Sequence, residues 1–172
     1  MGLCHWGEVM KRLTLIRHAK SSWANPGLSD FDRELNERGR RAAPEMGRRL
    51  KARGFAPDAL VSSPAKRALT TARIIAGELG FDEGLIDTDE RIYEASVEDL
   101  AKVTMDLDDD LEHVVLVGHN PGFTSFANWL ANCMIDNIPT CGVVDMDFEV
   151  ASWAKLEEDS GCMLDFDYPK KR

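Results

Sequence analysis

Three short apolar runs in this chain end abruptly in polar or basic residues and pass into segments of helical periodicity. Leu13–Ile16 ends in Arg17-His18, Ala59–Ser62 runs into Ser63-Pro64, and Val114–Val117 ends in Gly118-His119-Asn120-Pro121-Gly122. Short continuous apolar runs bounded by turn residues read as buried strands. Strands that alternate with helices build a sheet covered on both faces. In such open sheets ligands bind just beyond the carboxyl ends of the strands. Residues there are held rigidly yet left exposed, which is what chemistry needs. The stretch Leu13–Ser22, LTLIRHAKSS, is thus the one around which the rest is arranged.

The segments between the strands supply the helices. Trp23–Glu34 is rich in Gly, Pro, Asn and Asp and reads as a loop. Asn36 suits an N-cap for a helix to about Arg53, with Ala42, Ala43, Met46 and Leu50 as its apolar stripe and Gly54 as its stop. Pro44 falls inside that span, which predicts a kink or a later start. Ser63-Pro64 suits N-cap and N1 of a second helix, burying Ala68, Leu69, Ala72, Ile75, Ala76 and Leu79 and ending at Gly80. Leu85–Thr88 is a candidate third strand. Ser96 opens another helix, with Asp99 completing a capping-box variant. Asn120 and Pro121 repeat the N-cap and N1 pattern before a helix that buries Phe123, Phe126, Ala127 and Leu130.

The last third changes character. In Gly142–Val150, Val144, Met146 and Phe148 alternate with Asp145, Asp147 and Glu149, as in a half-exposed strand near an edge. Met163–Tyr168 alternates similarly and is a pairing partner for it. The expected architecture is therefore an α/β three-layer sandwich: a mostly parallel central sheet with an antiparallel edge. Residues 10–172 read as one domain, and residues 1–9, which pattern with nothing after them, as an amino-terminal extension.

Composition narrows the function classes. The net charge of −9, from 21 basic and 30 acidic residues, argues against general nucleic-acid binding. A small basic pocket in an acidic surface is still compatible with a phosphorylated substrate. No apolar run is long enough to span a bilayer, and the amino terminus lacks a signal-peptide core. Cys4, Cys133, Cys141 and Cys162 show no C-x-x-C spacing and read as reduced thiols of a cytoplasmic protein, without a metal.

The basic residues at the strand ends are Arg17, His18 and His119, and Arg67 lies one turn into the second helix. Arginine is a planar fork that grips phosphate oxygens in pairs. A helix amino end adds N–H groups and a positive dipole. Together they describe a pocket for a dianion. Within it a neutral histidine can attack phosphorus and carry the phosphoryl group transiently. A second histidine can hydrogen-bond the equatorial oxygens as charge develops. The arginines do the neutralising, so this chemistry calls for no metal or other cofactor. Each residue alone is ordinary, and the case rests on their combination. His113, a polar residue at a strand start, and His5, in the extension, receive no role.

LTLIRHAKSSW, SSPAKRALTTA and LVGHNPG resemble the three motif blocks of the histidine phosphatase superfamily, most of all its small SixA-type phosphohistidine phosphatase branch. The similarity runs from Met10 to the end and includes DFDRELNERGRRAA. The resemblance implies a phosphoglycerate mutase-like fold, with His18 as the nucleophile that becomes phosphorylated. It implies Arg17 and Arg67 as phosphate clamps and His119 as the second catalytic histidine. Glu90-Arg91-Ile92-Tyr93 resembles a stretch whose glutamate donates the leaving-group proton in larger, mutase-like members. That makes Glu90 the candidate acid, with Glu94 a weaker one. Two departures stand out. Ala19 follows His18 where the commonest motif has glycine, as is frequent in the SixA-like branch. Ala24 follows Trp23, and Asn25 stands one position late to match the mutases' phosphate-binding asparagine, so Asn25 receives no role.

The chain has little length between motifs for insertions that would roof the pocket. A shallow pocket admits a side chain projecting from another protein, and phosphohistidine leaves as an imidazole that needs little acid help. The expected function is a phosphatase acting on protein phosphohistidine. A phosphatase of small phosphate monoesters and a non-catalytic phospho-binding protein are the alternatives. A phosphate or sulfate ion is the expected occupant of the pocket. Gly118-His119-Asn120-Pro121-Gly122 mimics the hydrolase nucleophile elbow but has Asn120 where the nucleophile belongs. No G-K-[ST] or H-E-x-x-H occurs.

Overall fold

The structure is a computed structural model that describes residues 9–171. Its strands are β1 (Lys11–Arg17), β2 (Ala59–Ser62), β3 (Asp87–Thr88), β4 (His113–Gly118), β5 (Val143–Phe148) and β6 (Gly161–Asp167). They form one sheet in the order β3-β2-β4-β1-β5-β6. The pairs β1–β4, β2–β4 and β2–β3 are parallel, and β1–β5 and β5–β6 are antiparallel, so β5 alone runs against the rest. The helices are α1 (Glu37–Ala52), α2 (Lys66–Leu79), α3 (Val97–Met105) and α4 (Gly122–Ala131).

Strand alternation divides the core in two. Leu13, Leu15, Val114, Leu116, Val144 and Met146 face α3 and α4, where Leu100, Phe123 and Phe126 meet them. Ile16, Leu60, Val115, Val117 and Val143 face α1 and α2, against Met46, Leu50, Ala72 and Ile75. The expected three layers and mixed sheet are what forms. No helix among the described residues is long and apolar enough to cross a membrane. The expectation for residues 1–8, including Cys4 and His5, lies outside the described residues.

The helix signals held where local chemistry decides. Asn36 caps α1, its side chain accepting from Gly39 N–H. Ser96 and Asp99 form a reciprocal capping box on α3. Pro44 neither delays nor ends α1. It lies beside the buried row Gly39, Ala43, Met46, Gly47 and Leu50, and the helix runs through it. Several expectations shift. Leu69 and Leu79 are only half-buried. β3 shrinks to two residues because Asp82 caps a 3-10 turn at Glu83–Leu85, leaving Leu85 exposed. The caps expected at Ser63 and Asn120 are displaced. α2 starts at Lys66 with Ala65 before it, and α4 starts at Gly122 after a cis Asn120–Pro121 bond.

β5 lies next to the edge strand β6 and pairs with it, as expected, but it is buried rather than half-exposed. Its Asp145 is only 3% exposed. Arg12 Nε donates to Asp145 Oδ1 at 2.9 Å, and Thr14 Oγ1 donates to the same oxygen at 2.9 Å. Having given its one proton to the carboxylate, Thr14 accepts from His113 Nε2–H at 2.9 Å. Burial, then Arg12, pushes His113 down to about 4, so it stays neutral. A carboxylate that reads as solvent-facing is thus satisfied inside by its strand neighbours, as buried charge must be.

The first turn of α1 is packed onto the loop after β1. A Cβ on Gly39 would lie 2.2 Å from the Lys20 carbonyl oxygen, and Asn36 N–H donates to that oxygen at 2.9 Å. By contrast, a Cβ on Gly77 in α2 would find only Glu83 Oε1 at 3.6 Å. Gly39→Ala is therefore expected to lower unfolding free energy in urea melts by about 1–3 kcal/mol through overpacking. Gly77→Ala should raise it by about 0.5–1 kcal/mol through helix propensity. Equal effects of the two would remove the close contact between α1 and this loop.

Candidate active site

Register assembles the site. Arg17 on β1 and Gly118 on β4 are direct partners, and His18 N–H donates to Gly118 C=O at 2.9 Å. The next residues, His18 and His119, therefore leave adjacent parallel strands at the same level. Their ring centroids lie 5.2 Å apart. β4 also pairs with β2, with Ser62 opposite Val117, which sets Ser63 beside His119. Gly118 is required here, because a Cβ would lie 2.6 Å from the Phe123 ring and 2.7 Å from Ile92.

The two imidazoles are differently wired. His18 Nδ1 lies 2.7 Å from the Ala19 carbonyl oxygen. A carbonyl only accepts, so Nδ1 carries the proton and Nε2 presents its lone pair. His119 Nε2 lies 2.7 Å from Ser63 Oγ. Ser63 Oγ also accepts from Ala65 N–H. His119 Nδ1 is a buried atom with no partner among the described residues. His18 is 7% exposed and His119 9%. Burial, with the cationic neighbours Arg67 and Arg17 adding, lowers His18 to about 3. Burial and then Arg67 lower His119 to about 4. Both rings are neutral near pH 7.

The guanidinium groups flank them. Arg67, 5% exposed in the first turn of α2, donates from Nη1 to Asp30 C=O at 2.6 Å and from Nη2 to Asp30 Oδ2 at 3.0 Å. Arg17 donates from Nη1 to Ile138 C=O at 2.8 Å. The Nε atoms of Arg17 and Arg67 are buried without a protein partner, as is His119 Nδ1. Such donors suit an anion bound among them. A pocket of about 430 Å³ opens over these groups and is lined further by Lys20, Trp23, Asp30, Arg33, Tyr93 and Glu94. Among the described residues no group of three His, Cys, Asp or Glu side chains is placed to hold a metal ion.

Four of the five expected site residues, Arg17, His18, Arg67 and His119, meet in this pocket. Glu90 does not. It opens a 3-10 turn over Glu90–Ile92, is exposed, and is not part of the lining. The turn buries Ile92 and ties Arg91 outward to Asp89 and Asp106. The carboxylate this stretch brings to the pocket is Glu94, in the left-handed backbone region at φ 54°. A short turn reassigns every side chain after it, which motif spacing does not reveal.

Asp30, Arg33, Tyr93 and Ser63 were not anticipated. Asp30 is the hub: Tyr93 Oη donates to Oδ2 at 2.7 Å, and Arg33 Nε to Oδ1 at 3.1 Å. The Tyr93 bond first, then Arg67 and Arg33, holds the Asp30 carboxyl at about 2, despite partial burial. Arg33 also donates to Ser21 Oγ at 2.7 Å and stacks 3.6 Å over the Trp23 ring. The signal available was Asp-Phe-Asp-Arg standing in a long loop after the Arg-His strand.

Parallel strands ending in paired imidazoles and arginines, in a sheet flanked by helices on both faces, define the α/β class of this chain. The model of the histidine phosphatase superfamily (branch 1) matches residues 13–120, and the chain belongs to that family. It is similar to the structure of a putative phosphohistidine phosphatase SixA from Agrobacterium tumefaciens, 28% identical with a TM-score of 0.77, covering 92% of this chain and 98% of that one. A structure of the protein histidine phosphatase SixA complexed with tungstate shares the fold at 16% identity and a TM-score of 0.78, covering 92% and 97%. An uncharacterised protein of Mycobacterium tuberculosis is 28% identical over 90% of this chain and all of its own length.

The lowered histidine pKa values give a direct check. The His18 Cε1–H resonance should show no titration near the ordinary value of about 6.5 and should move only below about pH 4. A midpoint near 6.5 in the ligand-free protein would contradict the buried, neutral ring.

Proposed function

We propose that the protein is a phosphatase working through a phosphohistidine at His18, with protein phosphohistidine as its substrate. The observation that carries this reading is the His18 wiring, with Nδ1 bonded to the Ala19 carbonyl, in a pocket it shares with Arg17, Arg67 and His119, whose Nε, Nε and Nδ1 atoms are buried with no partner among the described residues. Arg17 and Arg67 hold two phosphoryl oxygens, and His119 Nδ1–H donates to a third. The His18 Nε2 lone pair attacks phosphorus as the bond to the leaving nitrogen breaks. The leaving imidazole takes a proton from solvent or from Glu94. Water then attacks the phosphorus of phospho-His18, the P–Nε2 bond breaks, and inorganic phosphate leaves with His18 neutral again. His18 can attack only while unprotonated, which burial secures. The SixA likeness supports the substrate class. Residues 10–172 would act as one unit, in the cytoplasm, within phosphorelay signalling.

A second reading, hydrolysis of small phosphate monoesters, is favoured by one feature. Glu94 lies at the pocket, and an alkoxide leaving group needs a proton more than an imidazole does.

Hydrolysis of p-nitrophenyl phosphate with and without EDTA tests the reaction. Turnover should survive the chelator and fall by about 10³-fold or more in His18→Ala, as expected for loss of a nucleophile. Rapid quench after a labelled phosphodonor should trap an adduct labile in acid and stable in alkali. Phosphate binding without turnover by the wild-type protein would favour the non-catalytic alternative, and an acid-stable adduct would place the phosphoryl group on another residue.

A further inference from the structure

A second concavity of about 530 Å³ runs alongside the candidate active site, and Lys20 and Thr140 line both. One wall is α1, where Arg38, Arg41, Ala42 and Glu45 recur at three- and four-residue spacing on one face. The other wall is the carboxyl-terminal segment Tyr168–Lys170, with Pro139 and Thr140 between. That wall is fixed by Arg49, which donates to Asp167 Oδ1 at 3.2 Å, to Tyr168 C=O at 3.0 Å and to Pro169 C=O at 2.9 Å.

The charge of this groove is unusual for the chain. The protein carries −9 overall, yet the groove presents Lys20, Arg38, Arg41 and Lys170 against a single carboxylate, Glu45. Glu45 is engaged by Arg49 at 2.5 Å. Lys20, Arg38, Arg41 and Lys170 are all exposed and make no side-chain hydrogen bond or ion pair among the described residues; Lys51, Arg73, Lys102 and Lys155 are likewise unpaired, but they do not line this groove. Like charges gathered without counter-charges cost free energy unless something anionic meets them. At the mouth of the phosphate pocket Trp23 is 76% exposed, held flat under Arg33. A rigid exposed aromatic is what a protein partner uses as an anchor, and a small ester has no use for it.

We infer that this cationic groove is the docking surface for an acidic stretch of the phosphorylated protein substrate. The acidic stretch lies along α1 while its phosphorylated side chain enters between Arg17 and Arg67. The assignment rests on the phosphatase reading for its substrate. The electrostatic claim about the groove stands separately, because Arg38, Arg41 and Lys170 lie outside the phosphate pocket.

The test uses two synthetic histidine peptides phosphorylated with phosphoramidate, one flanked by Asp and Glu, the other by Ser and Gln. At about 50 mM salt, where screening is weak, wild type should hydrolyse the acidic peptide with kcat/KM about tenfold above the neutral one. The doubly substituted protein R38E/R41E should lose that preference through KM, with p-nitrophenyl phosphate turnover unchanged. Lys170→Glu on the opposite wall should shift it the same way. Fluorescence anisotropy of the unphosphorylated acidic peptide on His18→Ala protein should show binding that R38E/R41E abolishes. Binding lost in R38E/R41E while wild type turns over no substrate would keep the groove and remove the phosphatase reading. Turnover of p-nitrophenyl phosphate with no preference between the peptides would remove the groove and keep the phosphatase. An R38E/R41E defect on a small bisphosphate ester, with both peptides unaffected, would replace the proposal with a second phosphate subsite.

Discussion

The parallel pairing of β1 with β4 is the constraint on which everything else in this molecule depends. It sets Arg17 opposite Gly118 and so places two histidines, 101 positions apart by their numbers, side by side. A slip of one residue would turn every side chain of β1 to the other face of the sheet. Leu13 and Leu15 would then leave the α3–α4 core. The apolar burial that holds the register therefore also holds the imidazoles together. The site is precise because it is a by-product of the core, and the glycine at the end of β4 is the one residue that lets the second strand end pass beneath Phe123.

Charge organises the rest of the site. Two guanidinium groups stand near two imidazoles, and a protonated ring beside them would be repelled as well as desolvated. Burial and the arginines therefore act in the same direction and keep both histidines neutral. Asp30 offsets part of the positive field while orienting Arg67 through two hydrogen bonds. It does so from a loop, so the orientation of Arg67 depends on a segment outside the sheet. Trp23, Arg33 and Tyr93 brace that segment. A folded platform thus carries the two imidazoles, and a tethered loop orients Arg67.

At the other end of the sheet the same physics serves packing alone. Arg12, Thr14, His113 and Asp145 satisfy one another inside. Among the described residues, no buried side-chain nitrogen or oxygen there lacks a partner, whereas in the pocket Arg17 Nε, Arg67 Nε and His119 Nδ1 do. That difference separates a buried polar network from a binding site more sharply than burial or residue type does.

Much was legible beforehand because it is encoded within a few residues. The strands at Leu13–Ile16, Ala59–Ser62 and Val114–Val117, the Asn36 cap and the Ser96–Asp99 box follow from runs and spacings that no distant contact overrides. Arg17, His18, Arg67 and His119 could be singled out because each sits at or just beyond a strand end, and strand ends meet. What misled was local sequence whose meaning is set from outside. Asp145 looks solvent-facing until Arg12 and Thr14 arrive from β1 and satisfy it inside, which lets β5 be buried on both faces. Glu90 and Glu94 differ by one short turn, and only the path of that turn selects which carboxylate reaches the pocket. Ser63 looks like a helix cap, but His119 takes its hydroxyl. The amino-acid sequence by itself determined the strands, the helices and the chemical types gathered at their ends, since propensity and periodicity act over a turn or two. Only the tertiary structure decided the partners of Asp30, the exclusion of Glu90 and the cationic groove beside α1, because each depends on side chains brought together from segments far apart along the chain.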